Sequence, residues 1–130
     1  MTKQEILNQA KENFGLVPEW MSSMPEEVLK QYWTALTWVL GDTEMAARDK
    51  VLIAFGAAAA IHCAYWVPFH KAQLALNGYT EEQIKEAGWV VQSVTGASAY
   101  LYGTGYDIGK FEQQVDQIVE HIKKTKKWSF

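Results

Sequence analysis

The chain has 130 residues, of which 48% are hydrophobic, and its formal net charge is −3. The length predicts a single domain over residues 1–130, and the hydrophobic fraction is typical of a packed core. The slightly acidic balance gives no reason to expect a nucleic acid as a partner. The chain has one basic cluster, whose spacing is typical of the carboxyl end of a helix: Lys123, Lys124, Lys126 and Lys127.

The single cysteine, Cys63, excludes an intramolecular disulfide and favours a reducing compartment, so we expect a cytoplasmic protein. The first residues show no basic-then-apolar signal pattern. Residues 51–69 lack Asp, Glu, Lys and Arg, which brings this run near membrane-spanning length. Because the run is built largely of alanine and contains Gly56 and Pro68, it predicts a buried central helix and no membrane partner.

The first third of the chain predicts two helices. A capping box from Thr2 to Glu5 opens a short helix that ends near Gly15, and residues 16–21 form a loop. A second capping signal, from Ser23 to Glu26, opens the next helix, which Gly41 ends. Its apolar stripe recurs at helical spacing and consists of Leu29, Trp33, Leu36 and Leu40.

The middle of the chain predicts a helix that Asp42 or Thr43 caps. From Val51 this helix is apolar all round, which indicates burial on all sides. Pro68 lacks an N–H group and crowds the carbonyl of Ala64, so we expect a kink or break within residues 64–68.

The last third predicts further helices. The pair Asn77 and Gly78 ends one, and residues 80–83 open another. Residues 89–102 contain strand-forming side chains, but the chain offers no second strand, so we predict a helix that ends at the glycines 103 and 105. The final segment has an apolar seam spaced 3, 4, 3, 4, which favours docking on the chain's own core over a subunit interface: Ile108, Phe111, Val115, Ile118 and Ile122.

Chemistry-bearing residues concentrate in residues 61–70, which hold the only cysteine and two of the three histidines. The chain has no phosphate-binding loop or dinucleotide fingerprint, so we expect no cofactor. The candidate metal ligands match no zinc spacing, so we expect no metal site: His62, Cys63, His70 and His121.

Residues 61–70 resemble the active-site segment of the carboxymuconolactone decarboxylase and alkylhydroperoxidase D-like superfamily. In that segment a Cys-x-x-Cys pair on a helix is followed four residues later by a histidine. Residues 14–18 (FGLVP) and residues 74–87 are similar to the family's flanking stretches. The resemblance implies an all-α, alkylhydroperoxidase D-like helical domain of about six or seven helices. It also implies a homo-oligomer, either a trimer or a hexamer.

The chain departs from the redox branch of this family at two positions. Trp66 stands at the second cysteine, and Val51 stands at the position of a glutamate about twelve residues before the first. The family uses the two thiols in a disulfide cycle, and the glutamate and histidine move the proton. The resemblance therefore leaves Cys63 and His70 as catalytic candidates and implies that disulfide cycling is lost.

The spacing of these two candidates makes a direct hydrogen bond difficult on a continuous helix. Cys63 and His70 share a face but lie about 10 Å apart along it. A mid-helix Cys63 among apolar neighbours is more typical of a small core residue than of a reactive thiol. His70 is suited to general acid–base chemistry near neutral pH, with a structural role as the equal alternative.

Other side chains of this segment predict a small-molecule pocket near Cys63 and His70. Its expected lining consists of His62, Tyr65, Trp66 and Phe69. Arg48, the only arginine, is a possible partner for a substrate carboxylate. Three functions remain open: a single-cysteine thiol peroxidase or antioxidant using Cys63, a non-redox lyase or decarboxylase on a small carboxylate or lactone using His70, and a non-catalytic ligand-binding oligomer.

Overall fold

The computed structural model of the chain describes residues 1–127, and helices are the only regular elements in this part. The all-α prediction of about six or seven helices is confirmed. The helices are α1 (Lys3–Phe14), α2 (Glu19–Ser22), α3 (Glu26–Leu40), α4 (Ala47–Ala60), α5 (Trp66–Leu76), α6 (Glu81–Thr104) and α7 (Ile108–Thr125). None of these helices combines the length and the apolar character that a membrane crossing requires.

Residue contacts divide the chain into a first unit, Met1–Gly88, and a second unit that begins at Trp89. In the first unit, α1 packs on α3, α3 on α4, and α4 on α5. The organisation of residues 1–130 as one domain stays a prediction.

Helix α1 begins and ends as its sequence predicts. The Thr2 hydroxyl accepts a hydrogen bond from the Glu5 N–H at 3.3 Å, and the Glu5 carboxylate accepts one from the Thr2 N–H at 2.7 Å. Gly15 ends the helix with a φ of 76°. The buried side chains of α1 and α2 form a first core with the predicted stripe of α3: Ile6, Ala10, Met21, Leu29, Trp33 and Leu36.

The segment between α1 and α3 corrects two predictions. Residues 19–22 form the short helix α2 rather than part of a loop. Ser23 does not cap α3, because its hydroxyl donates to the Trp20 carbonyl at 2.9 Å and so belongs to the end of α2. Helix α3 begins directly after Pro25 without a side-chain cap.

Helix α4 is buried on one side only. The Asp42 carboxylate accepts a hydrogen bond from the Ala47 N–H at 2.7 Å, as expected of a capping residue. Val51 and Phe55 pack with α5 and the start of α6 in a second core, whereas Ile53 is 59% exposed. The expected burial on all sides is therefore wrong for this chain.

The chain breaks between α4 and α5 at residues 61–65, which overlaps the predicted residues 64–68 but begins three residues earlier. The N–H groups of His62 and Cys63 donate to the carbonyls of Ala59 and Ala58 at 3.1 and 2.9 Å. This pattern is a Schellman motif, with His62 in the left-handed conformation at a φ of 54°. Pro68 then lies in the first turn of α5, where a missing N–H is tolerated.

Helix α6 begins at its predicted capping signal. Thr80 and Gln83 form a reciprocal cap at 2.9 and 3.2 Å, and α6 continues to Thr104 before Gly105 turns the chain. The Asp107 carboxylate caps α7 through the Lys110 N–H at 2.7 Å. No residue of α7 is buried. The docking of its seam on the chain's own core stays a prediction.

Candidate functional site

Cys63 lies at the amino end of α5 rather than in the middle of a helix. Its sulfur accepts a hydrogen bond from the Trp66 N–H at 3.4 Å, and its carbonyl accepts one from the Val67 N–H at 3.2 Å. The side chain is half-buried. Because the first N–H groups of a helix have no partner within the helix, they are donors for a negatively charged group. The mid-helix expectation is wrong because α4 ends three residues before Cys63.

His70 lies in the second turn of α5 and is 8% exposed. Its Nδ1 is 2.7 Å from Oε1 of Gln73, which is an acceptor only. Nδ1 therefore carries the proton of the neutral ring, and Nε2 carries the lone pair. This tautomer leaves His70 with one nitrogen able to accept a proton.

Trp66, at the position of the family's second cysteine, covers one face of the imidazole. Its ring stacks on the His70 ring with centroids 5.7 Å apart and an interplanar angle of 30°. The Phe69 ring meets the His70 ring edge-on at 5.3 Å. Residues four apart on a helix are neighbours on its surface, so a tryptophan here packs where a resolving thiol would lie.

A cavity of about 380 Å³ brings the two catalytic candidates onto one surface. Cys63, Trp66 and His70 line it together with small and apolar side chains of α3 and α4, and we call it the Cys63 cavity. The break after α4 makes this arrangement possible, because it separates Cys63 from the body of that helix.

A larger cavity of about 810 Å³ lies beside the amino end of α5. No charged side chain lines it, and we call it the aromatic cavity. Its lining comes from α1 to α3, their connections and residues 65–69, and consists of Phe14, Leu16, Pro18, Trp20, Met21, Tyr32, Leu36, Tyr65, Trp66 and Phe69. Three of these side chains also line the Cys63 cavity, namely Tyr32, Leu36 and Trp66.

The sequence predicted three lining residues of the aromatic cavity, Tyr65, Trp66 and Phe69. It did not identify the lining residues that precede α4, among them Trp20 and Tyr32. A signal for Phe14, Leu16 and Pro18 was available in residues 14–18, which resemble the family's opening stretch. Burial raises the pKa of the Tyr32 phenol, in agreement with an apolar surrounding.

Two predicted site residues lie elsewhere. His62 is exposed and is not among the residues that line either cavity. The Arg48 guanidinium lies 4.5 Å from the centroid of the Tyr79 ring, also away from both linings. Val51, at the position of the family's glutamate, is buried in the second core.

Acidic side chains are absent from both linings, and residues 1–127 contain no group of three or more histidine, cysteine and acidic side chains that could hold a metal ion. Within the described part of the chain, the polar groups of the Cys63 cavity are thus a thiol, an imidazole and the Trp66 and Tyr32 rings. This set suits thiol chemistry or proton transfer.

The sequence profile described as "Carboxymuconolactone decarboxylase family" matches residues 27–105. The match covers more than half of the chain and includes Cys63, Trp66 and His70. No curated protein and no solved structure matches the chain. On the extent of the profile match and the helical fold, the chain belongs to the carboxymuconolactone decarboxylase family.

Proposed function

We propose that this chain is a thiol-dependent hydroperoxide reductase that uses Cys63 as its only redox thiol. The observation that supports this proposal most is the hydrogen bond that the Trp66 N–H donates to the Cys63 sulfur. This bond lies at the amino end of a helix, and Cys63 and His70 line the same cavity. A half-buried thiol with an N–H donor and a basic imidazole on the same surface has the elements that thiol activation requires.

The first half-reaction oxidises the sulfur by two electrons. His70 accepts the thiol proton, and the thiolate attacks the terminal oxygen of the hydroperoxide. The S–O bond forms as the O–O bond breaks, and the proton goes to the departing alkoxide. The products are Cys63 sulfenic acid and an alcohol.

The second half-reaction needs an external thiol, because Trp66 replaces the partner cysteine. One thiol condenses with the sulfenic acid to give a mixed disulfide and water. A second thiol then attacks that disulfide, which restores Cys63 and releases the oxidised thiol. The reducing cytoplasm predicted from the cysteine count would supply this reductant.

Alkylation of Cys63 in the native protein tests the proposal. We expect iodoacetamide to modify the thiol without denaturant, and prior treatment with cumene hydroperoxide to block the modification. Dimedone, which reacts with sulfenic acids, should then label Cys63 in mass spectra, while a Cys63→Ser variant should remain unlabelled. A thiol that reacts only after denaturation contradicts the proposal.

A second candidate is a non-redox lyase or decarboxylase that uses His70. The tautomer set by Gln73 favours it, since Nε2 is free to accept a proton. The absence of a cation from the lining of the Cys63 cavity counts against a carboxylate substrate. In this case Cys63→Ala retains activity and His70→Ala loses it, whereas the peroxidase loses activity in Cys63→Ala.

We further propose that the chain forms a homo-oligomer, a trimer or a hexamer. The exposed apolar seam of α7 supports this, as do large exposed aromatic side chains in α6, such as Trp89 and Tyr102. Exposed apolar patches of this kind are typical of protein–protein interfaces.

A further inference from the structure

We infer that α7 forms an antiparallel pair with α7 of a second copy of this chain, with the two apolar seams in contact and opposite charges facing each other at their edges. This inference rests on the proposed homo-oligomer and specifies one contact that builds it. Three features of α7 support it: an exposed apolar face, the spacing of the seam, and a charge that changes sign along the helix.

The apolar face of α7 is long and exposed. Phe111, Val115 and Ile118 are 44%, 39% and 54% exposed, and the neighbouring Val119 is 41% exposed. The 18 residues of α7 span about 27 Å. An apolar surface of this length is typical of a helix that another helix covers.

The 3, 4 spacing of the seam fits an antiparallel partner. Reversing the helix reproduces the same spacing when the centre of the pair lies between Val115 and Ile118. Val115 then faces the partner subunit's Ile118, and Phe111 faces the partner subunit's Ile122. Such a pair buries apolar side chains of both copies along the seam.

The distribution of charge along α7 indicates the direction of the pair. Residues 107–120 carry four carboxylates and one lysine, whereas residues 121–127 carry four lysines and no carboxylate. A parallel pair would bring the lysines of both copies together, and like charges that face each other across an interface are destabilising. An antiparallel pair instead places each basic end beside Asp107 and Glu112 of the other copy, and it also opposes the two helix dipoles.

Glu112 and Lys123 lie at the same edge of the seam. Each directly follows a seam residue, and the eleven residues between these positions correspond to about three helical turns. In the antiparallel register, Glu112 lies about 3 Å along the axis from the partner subunit's Lys123. Glu112 has no ion-pair partner within residues 1–127, and Lys123 has only the exposed Glu120 at 3.4 Å, so both charges can pair across the interface.

An antiparallel pair of identical helices has two-fold symmetry. Both copies contribute the same surface, so the number of subunits in an assembly with every seam paired is even. A hexamer can contain three such pairs, whereas an isolated trimer leaves at least one seam exposed. The inference therefore favours the hexamer.

Charge reversal at Glu112 and Lys123 tests the pairing. In sedimentation equilibrium at low ionic strength, Glu112→Lys and Lys123→Glu should each raise the dissociation constant of the pair about tenfold or more, because the two-fold axis turns two attractive contacts into two repulsive ones. An equimolar mixture of the two variants should restore the assembly, since each helix then meets the opposite charge, and this recovery shows that both variants fold. The control Glu12→Lys makes the same change of charge at an exposed position of α1 and should assemble like the unaltered chain.

Spin labels test the direction of the pair. Gln117 and Lys124 lie seven residues apart on the side of α7 away from the seam, and each is replaced by a labelled cysteine in Cys63→Ser. In an antiparallel pair the two labels at position 117 lie about 2 Å apart along the axis, and those at position 124 about 22 Å apart. Pulsed electron paramagnetic resonance should therefore give a longer distance at position 124. Equal distances at both positions indicate a parallel pair and overturn the inference.

The outcomes separate this inference from the proposal on which it rests. An assembly that Glu112→Lys and Lys123→Glu leave as stable as Glu12→Lys does overturns the pairing of α7, while the proposed homo-oligomer stands and uses another surface. A chain that stays monomeric at every concentration overturns both, and the seam then docks on the chain's own core.

Discussion

His62 holds a left-handed backbone conformation that residues with a Cβ adopt at a cost of about 1–2 kcal/mol. This conformation occurs in the Schellman motif, which ends α4 and directs the chain towards Cys63. Replacing His62 with glycine should therefore raise the free energy of unfolding by about 1 kcal/mol, since glycine adopts this conformation freely. His62→Ala keeps the Cβ and should give no such gain. Urea unfolding of the two variants measures the difference, and equal stabilities would contradict the assigned backbone strain.

Gln73 fixes the tautomer of His70 through one hydrogen bond at 2.7 Å. Gln73→Leu removes the acceptor, so the imidazole proton should distribute between Nδ1 and Nε2. A neutral hydrogen bond contributes about 1 kcal/mol, so we expect about a fivefold loss in the rate of Cys63 oxidation.

The ¹⁵N chemical shifts of His70 report this tautomer directly. We expect the Nε2 resonance to move towards the protonated form in Gln73→Leu and to remain in place in Gln73→Glu, which keeps an acceptor oxygen. Unchanged shifts in Gln73→Leu would show that Gln73 does not position the ring.

At the scale of the elements, the helix starts that carry polar caps could be predicted from the sequence. The turn between α4 and α5, which positions Cys63, could not. Thr2 and Thr80 predict the starts of α1 and α6, because each hydroxyl accepts a hydrogen bond from an N–H group in the first turn of its helix. The break before Cys63 lacks the glycine that usually marks a Schellman motif. The prediction therefore relied on Pro68 and placed the start of the break too late in the chain. Cys63 was consequently assigned to a helix interior, and its contact with the Trp66 N–H depends on a conformation of His62 that no sequence signal indicates.

Lys50 joins α4 to the end of α3. Its buried ammonium donates to the carbonyls of Trp38 and Gly41 at 2.8 and 2.9 Å and lies 4.0 Å from the centroid of the Trp38 ring. These carbonyls have no partner within α3, so the lysine acts as a cap supplied by another helix. Hydrogen bonds to a charged donor contribute about 1.5–3 kcal/mol each.

We expect Lys50→Met to lower the free energy of unfolding by about 2 kcal/mol or more, because the stem still packs but the carbonyls lose their donor. Lys85→Met offers a matched control, since Lys85 forms only an exposed ion pair with Glu82, and such pairs contribute about 0–1 kcal/mol. Thermal unfolding followed by circular dichroism measures both. Equal effects of the two substitutions would show that Lys50 does not cap α3.

At the scale of the whole molecule, the two units carry different features. All residues that line the Cys63 cavity and the aromatic cavity belong to the first unit, whereas the exposed apolar seam of α7 belongs to the second. The 3, 4 spacing predicted which face of α7 is apolar, and those side chains are exposed. Periodicity does not show what covers such a face, so its docking on the chain's own core stays a prediction.

The apolar seam of α7 leads to a prediction about the assembly of subunits. Phe111, Val115 and Ile118 are exposed on one face of α7, and repeated apolar residues at this spacing stabilise helix pairs between subunits. Ile118→Lys should therefore dissociate the proposed oligomer, because a charge buried in such an interface lacks a partner. Gln117→Lys changes the charge equally at a neighbouring polar position and should leave the assembly intact. Sedimentation velocity distinguishes the two, and an unchanged oligomer in Ile118→Lys would place the subunit interface on another surface.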